Sequence, residues 1–314
     1  MRIIINNRVK NAGVLALAVL LAACSTPPAA PPAGPAAVVT VPADKPAAEK
    51  ATPEPRPVRL GLALGGGAAR GFAHVGVIQV LEEAGLHPHF VAGTSAGSLV
   101  AALYASGKNS QELRRVAETM EEAEITDWML PILNRGALRG EALAKYVNNQ
   151  EGGKPIEHMK IPLGIVATDL RTGEAVTFRR GNTGSAVRAS SAVPAVFQPV
   201  RIGEREYVDG GLVSPVPVKQ AREMGANFVI AVDISSDPEG SQTGDTFQIL
   251  MQTFTIMGKS INTLALREAE FVVRPSLTGV KSADFGARRR SIEAGRSAML
   301  AMLPQLKTRI AAFE

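Results

Sequence analysis

A single cysteine, Cys24, stands in this chain, so it can form neither an internal disulfide nor a cysteine metal cluster. Histidine is also scarce. His74, His87, His89 and His158 are the four present, and none follows His158. The formal charge is only +5 over 314 residues, and Arg2, Arg8 and Lys10 contribute to it from the first ten residues. So small a bias excludes an argument for nucleic acid as a partner. No repeat, no calcium-binding module and no carboxylate pair suited to a two-ion site is apparent, so neither a metal nor another cofactor is expected. The mostly apolar run over residues 12–23 is too short for a comfortable membrane span.

That run follows a basic stretch and ends in Leu21-Ala22-Ala23-Cys24-Ser25, the plan of a secretory leader. The break resembles the lipobox of bacterial lipoproteins, an ordinary leader with a nearby cysteine being the alternative. The resemblance implies cleavage after residue 23 and lipid on both the sulfur and the amine of Cys24. It also implies a cell-envelope location, and Ser25 in place of an acidic residue points to the outer membrane, facing the periplasm. Residues 24–57 then form a tether dominated by proline and alanine, which can build neither helix nor sheet. Residues 58–314 are long enough for one sizeable α/β domain.

Within that domain, residues 58–64 read as a strand, 65–71 as a glycine turn and 72–85 as a buried helix closed by a glycine. A second strand leads into Phe90-Val91-Ala92-Gly93-Thr94-Ser95-Ala96-Gly97, followed by a small-residue helix. Such a βαβα series implies a parallel sheet covered by helices. Further helices are expected over 111–122, 138–147, 183–191, 247–267 and 291–303. Strands are expected near 161–170, 175–178, 203–209, 227–234 and 270–274, and residues 235–245 read as a polar surface loop. Trp128, Met129 and Leu133 belong to a covering region, as core or as the wall of an apolar pocket.

Gly93-Thr94-Ser95-Ala96-Gly97 has the form of a nucleophile elbow, G-x-S-x-G, with small residues where strand and helix backbones approach. The run Gly65-Gly66-Gly67-Ala68-Ala69-Arg70-Gly71 fails as a dinucleotide fingerprint, because Arg70 stands where glycine is required. It fails as a phosphate loop, because Phe72 replaces the lysine. What survives is a tight turn, or a run of backbone amides aimed at a developing anion.

A serine hydroxyl needs a base. The order Ser95, Asp127, His158 is the one histidine triad the chain could offer, yet His158 precedes its strand rather than following it. His87 and His89 lie at the wrong end of theirs, and His74 is expected to pack or cap within its helix. Asp209 is the better candidate. It ends a strand, Gly210 and Gly211 leave it room, and active positions gather at the C-terminal edge of a parallel sheet.

The glycine run 65–71, the elbow 93–97 and Asp209-Gly210-Gly211, in that order, resemble the three motifs of the patatin-like phospholipase family, with the resemblance running over about residues 60–234. It implies a three-layer α/β/α fold with a mostly parallel central sheet. The implied activity is that of a serine acyl-ester hydrolase of phospholipase A or lysophospholipase type, acting on phospholipid or lysophospholipid without a cofactor. Ser95 would be the nucleophile, Asp209 the base, and Gly65, Gly66, Gly67 and Ala68 the oxyanion loop. Arg70, Gly71, Gly93, Gly97, Gly210 and Gly211 would support them, and Arg70 would steady the loop or attract a lipid phosphate. Leu64, in place of an acidic residue, departs from the plant-type pattern and puts substrate preference in doubt. Residues 189–194 are expected to shape the acyl pocket. The alternatives are a catalytically silent lipid-anchored binding protein on the same fold and a general carboxylesterase or thioesterase.

Overall fold

The computed structural model describes residues 57–127, 136–239, 243–281 and 283–313. The leader, Cys24, nearly all of the tether, Trp128, Met129 and Leu133 lie outside the described residues. The central sheet is built on five parallel strands in the order β10 (Phe271–Val273), β9 (Phe228–Val232), β1 (Leu60–Leu64), β2 (Phe90–Thr94) and β4 (Leu163–Asp169). β5 (Ala175–Phe178) and β8 (Arg205–Asp209) both run antiparallel to β4, and β7 (Val200–Ile202) pairs with β8.

Alternation along β1 divides the layers. Leu60, Leu62 and Leu64 enter the larger core, with residues of α1 (Ala73–Glu83), α2 (Ala96–Ala105), α3 (Ser110–Thr119) and α9 (Arg288–Phe313). Ala63 faces a thinner core with Val218 and Ala221 of α7 (Val218–Glu223) and with Leu266. Small side chains on that face allow a short helix to cover it. Helices thus flank a mixed, largely parallel sheet, and the expected α/β architecture holds.

Two expectations change. The helix read over 138–147 begins only at Glu141, because Gly140 adopts a left-handed φ of 76° and starts α5 (Glu141–Glu151). Ahead of it, Gly136–Leu138 forms β3, parallel to β6 (Ala195–Phe197) in a separate two-stranded sheet. The last helix does not stop at Leu303 but runs through Pro304 to Phe313. It crosses α1 so closely that a Cβ on Gly76 would lie 1.9 Å from the Ile292 carbonyl oxygen, and one on Gly295 1.9 Å from that of Ala73.

The arrangement around β4 positions the site. β4 gives one edge to β5 along Ile165–Thr168, so β2 and β8 must share the other. β2 ends with Thr94 opposite Val166, and β8, running the opposite way, ends with Asp209 opposite Ala167. The two strands meet head to head on adjacent rungs. Of the remaining helices, α6 (Thr183–Ser190) packs on β4 and β8, and α8 (Thr246–Ala265) follows β9.

Candidate active site

Ser95 occupies the single residue between β2 and α2, at φ 52° and ψ −124°. A residue with a Cβ is strained there. The neighbouring glycines make the turn possible. A Cβ on Gly97 would lie 2.1 Å from the Leu64 carbonyl oxygen, and one on Gly93 would lie 2.5 Å from that of Gly97. Ser98 closes the helix start, its amide and hydroxyl donating to the Ser95 carbonyl at 2.8 and 2.6 Å.

Sequence reasoning missed the residue that holds the Ser95 backbone. The Ser95 amide donates to Ser190 Oγ at 2.9 Å, and that hydroxyl donates to the Val166 carbonyl at 2.5 Å. Ser190 is fully buried and ties the elbow to β4, whereas its neighbours Ser191 and Val193 line the adjoining cavity as expected. Nothing in Ser190-Ser191 distinguishes the two beforehand. Ser190→Ala leaves a buried donor and acceptor unpaired and is expected to lower stability by about 1–3 kcal/mol. Urea denaturation of the two proteins, compared at one pH, checks this.

Asp209 is 6% exposed. Its Oδ1 accepts the Gly211 amide at 2.7 Å, while Oδ2 is buried without a hydrogen bond of ordinary geometry. Burial pushes the carboxyl pKa up to about 6, opposed by the facing Ser95 side chain and by the Gly211 amide. Asp209 therefore combines low hydration with one carboxylate oxygen left unpartnered, in a group that the Ser95 side chain faces. Asp209 does not end a parallel strand, contrary to the expectation from the sequence. β8 is antiparallel, and its C-terminal end reaches the site only because β4 extends beyond β2. Gly210 is required at this junction, since a Cβ there would lie 2.2 Å from the Val166 carbonyl oxygen.

The glycine loop supplies fewer free amides than expected. Gly65 donates to the Val232 carbonyl at 3.1 Å and Gly66 to that of Pro215 at 2.9 Å, so both are committed to the scaffold. Among the described residues, the amides of Gly67 and Ala68 have no protein acceptor, and Ala68 is held at φ 50°. Gly66 has a steric role, because its Cβ would crowd that of Ser95 at 3.1 Å; Gly71 likewise clears the Ala96 Cβ. His74 does not cap its own helix. Its Nε2–H donates to the Gly65 carbonyl at 2.8 Å, and burial lowers its pKa to about 4, keeping the ring neutral. Arg70 is buried, donates to Ser236 Oγ and faces Asp233, an arrangement that suits steadying the loop rather than attracting a phosphate.

Beside Ser95 opens a cavity of about 280 Å³ whose walls include Phe72, Val75, Leu103, Val116, Met120 and Phe285. Ala68 and Ser95 also line it. The histidine alternative is not assembled. Asp127 caps α5, accepting the Gly140 and Glu141 amides at 2.6 and 2.9 Å. His158 is exposed ahead of β4, and His89 accepts the Leu60 amide at the N-terminal edge of the sheet. Among the described residues, no group of three His, Cys, Asp or Glu side chains is placed to hold a metal. None of their helices is long and apolar enough to cross a membrane.

Residues 62–222 match the family model described as patatin-like phospholipase. An uncharacterized NTE family protein of Mycobacterium tuberculosis is 37% identical over 183 residues, covering 58% of this chain and 51% of its own. Patatin-like phospholipase domain-containing protein 6 of Mus musculus is 32% identical over 187 residues, covering 57% of this chain and 14% of that protein. The chain spans about half the length of the mycobacterial relatives it matches. Among solved structures, VipD from Legionella pneumophila superposes with a TM-score of 0.54 at 15% identity, covering 79% of this chain and 67% of that one, which is a likeness of fold.

Proposed function

The chain belongs to the patatin-like phospholipase family, and from that premise we propose that it is a serine acyl-ester hydrolase of phospholipase A or lysophospholipase type, with Ser95 as nucleophile and Asp209 as base. The observation that carries the reading is the head-to-head meeting of β2 and β8, which puts Thr94 and Asp209 on adjacent rungs of β4 and so brings the strained Ser95 that follows Thr94 to a poorly hydrated carboxylate.

In the first step Ser95 Oγ attacks the acyl carbonyl carbon as its proton passes to Asp209 Oδ2. The tetrahedral oxyanion is received by the Gly67 and Ala68 amides. Collapse breaks the ester C–O bond, and the proton returns to the departing alcohol, a lyso-lipid or a glycerophospho-alcohol. Water then attacks the acyl-enzyme with Asp209 again accepting a proton, releasing the fatty acid and restoring Ser95. The acyl chain occupies the apolar cavity, which solvates methylene groups and holds water off the dyad.

Phospholipid, lysophospholipid, triacylglycerol and short p-nitrophenyl esters, assayed side by side with fluorophosphonate labelling of Ser95, test the assignment. Turnover of a glycerophospholipid with labelling is the expected result. No turnover and no labelling would instead favour a silent binding protein. Because the base must be ionised, kcat/KM is expected to fall about tenfold per pH unit below the Asp209 pKa of about 6 and to level off above it. A pH–rate profile on a soluble ester reads this directly.

We assign residues 1–23 to a leader, Cys24 to lipidation, 24–57 to a tether and 58–314 to the hydrolase domain. The protein would then be anchored in the cell envelope, on the outer membrane facing the periplasm. The basic, apolar and small-residue order of the leader and the lipobox-like Leu21–Cys24 support this. Metabolic labelling with a palmitate analogue, lost in Cys24→Ser, is its test.

A further inference from the structure

Of the nine large apolar side chains exposed among the described residues, six lie on α8: Phe247, Ile249, Leu250, Ile256, Met257 and Leu264, between 37% and 65% exposed. A helix of this length spans about 30 Å. It carries no acidic side chain, and its one cation, Lys259, pairs with Asp237 at 3.0 Å. Soluble domains seldom leave so much contiguous apolar surface without a use for it.

Its position gives it one. α8 packs on the Gly210–Leu212 turn that follows Asp209, and Gly258 abuts Pro215, whose carbonyl holds the Gly66 amide. The helix therefore lies against the turn that follows Asp209 and against the segment that holds the glycine loop. We propose that α8 is an interfacial helix that lies in the headgroup–acyl boundary of a phospholipid bilayer and sets the site against it. The inference rests on the lipid-ester reading for the reason such a surface is needed. A lipid ester must leave its bilayer to reach the cavity, and an apolar helix against these segments shortens that path.

The pattern favours a bilayer over a second copy of the chain. Leu250, Met257 and Leu264 recur every seven residues, but Ile249 and Ile256 widen the strip beyond a two-position seam. Thr246, Thr253 and Ser260 stand along it where pairing charges would set the register of a coiled coil. A broad apolar face free of acidic residues enters the acyl boundary of a bilayer without any complementary partner.

Cys24 is the chain's only cysteine, so the full chain carrying Cys24→Ser and Met257→Cys takes one environment-sensitive nitrobenzoxadiazole label on α8. With vesicles of phosphatidylethanolamine and phosphatidylglycerol, the label is expected to shift to the blue, brighten and be quenched by doxyl-labelled lipid. Emission unchanged by vesicles overturns the proposal, as does shielding without vesicles that grows with protein concentration, the mark of a second copy. The measurement needs no turnover and is expected to be unchanged by adding Ser95→Ala, so failure of the hydrolase reading is seen separately. In the active chain, Leu250→Ser, Met257→Ser and Leu264→Ser combined are expected to slow vesicle hydrolysis about tenfold, with p-nitrophenyl butyrate turnover within about twofold. Equal losses on both substrates count against it.

Discussion

Ser95→Ala is expected to reduce ester turnover by about 10⁴-fold or more while leaving the denaturation midpoint close to that of the parent. Alanine keeps the Cβ and inherits the same φ of 52°, so the elbow is no more strained than before. Only the hydroxyl oxygen is removed. Asp209→Asn is expected to cost nearly as much rate, because an amide cannot accept the proton, and to do the reverse to stability. The carboxyl ordinarily titrates near 3.8 and here near 6. Between those values the folded chain holds the proton more firmly than the unfolded one, so stability declines as pH rises through that window. Above it the folded state bears a buried charge costing on the order of 3 kcal/mol. Asparagine bears none. The variant should therefore be more stable than the parent at pH 8 by up to that amount, with the gap closing below about pH 4. Paired urea titrations at both pH values and a kcat measurement decide the matter. An Asn variant with normal turnover removes Asp209 from the chemistry.

Gly97→Ala is expected to leave little folded protein. Its Cβ would lie 2.1 Å from the Leu64 carbonyl oxygen and 2.6 Å from that of Gly65, both backbone atoms of the strand and loop beneath. No side-chain rotation relieves such contacts, so α2 must move off β1 and take the elbow with it. A penalty of about 4 kcal/mol or more is a large share of the 5–15 kcal/mol that commonly holds a domain together. Gly203→Ala is the control. Gly203 has φ 62° with open space around it, so its cost is confined to left-handed backbone strain of about 1–2 kcal/mol. Yield of folded protein and thermal midpoints for the pair test the contrast, and equal behaviour would refute the close-packing account of the elbow.

The sequence made the core strands and the elbow legible because each carries a local signal. Apolar runs mark β1, β2 and β9, glycine breaks the first two, and G-x-S-x-G marks the turn. Features that depend on residues distant in the chain were hidden. Asp127 reads as a possible catalytic acid until Gly140 and Glu141 present their amides to it. β3 has only three residues, and its partner β6 lies beyond α5 and α6. Gly65 and Gly66 look like free donors until Val232 and Pro215 take their hydrogens. Asp209 reads as the end of a parallel strand until β8 pairs antiparallel with β4, since a short strand ending in an acid carries no mark of its direction.

Strands that butt end to end exchange no backbone rungs with each other, so the join between β2 and β8 depends on hydroxyl groups for its stitching. Thr94 Oγ1 donates to the Ser214 carbonyl, Thr168 Oγ1 to the Asp209 carbonyl, and Ser190 spans the Ser95 amide and the Val166 carbonyl. Exchanging one of those threonines for valine keeps shape and bulk but unpicks a thread. The join would loosen while the sheet on either side stayed whole, separating the integrity of the domain from the alignment of Ser95 with Asp209.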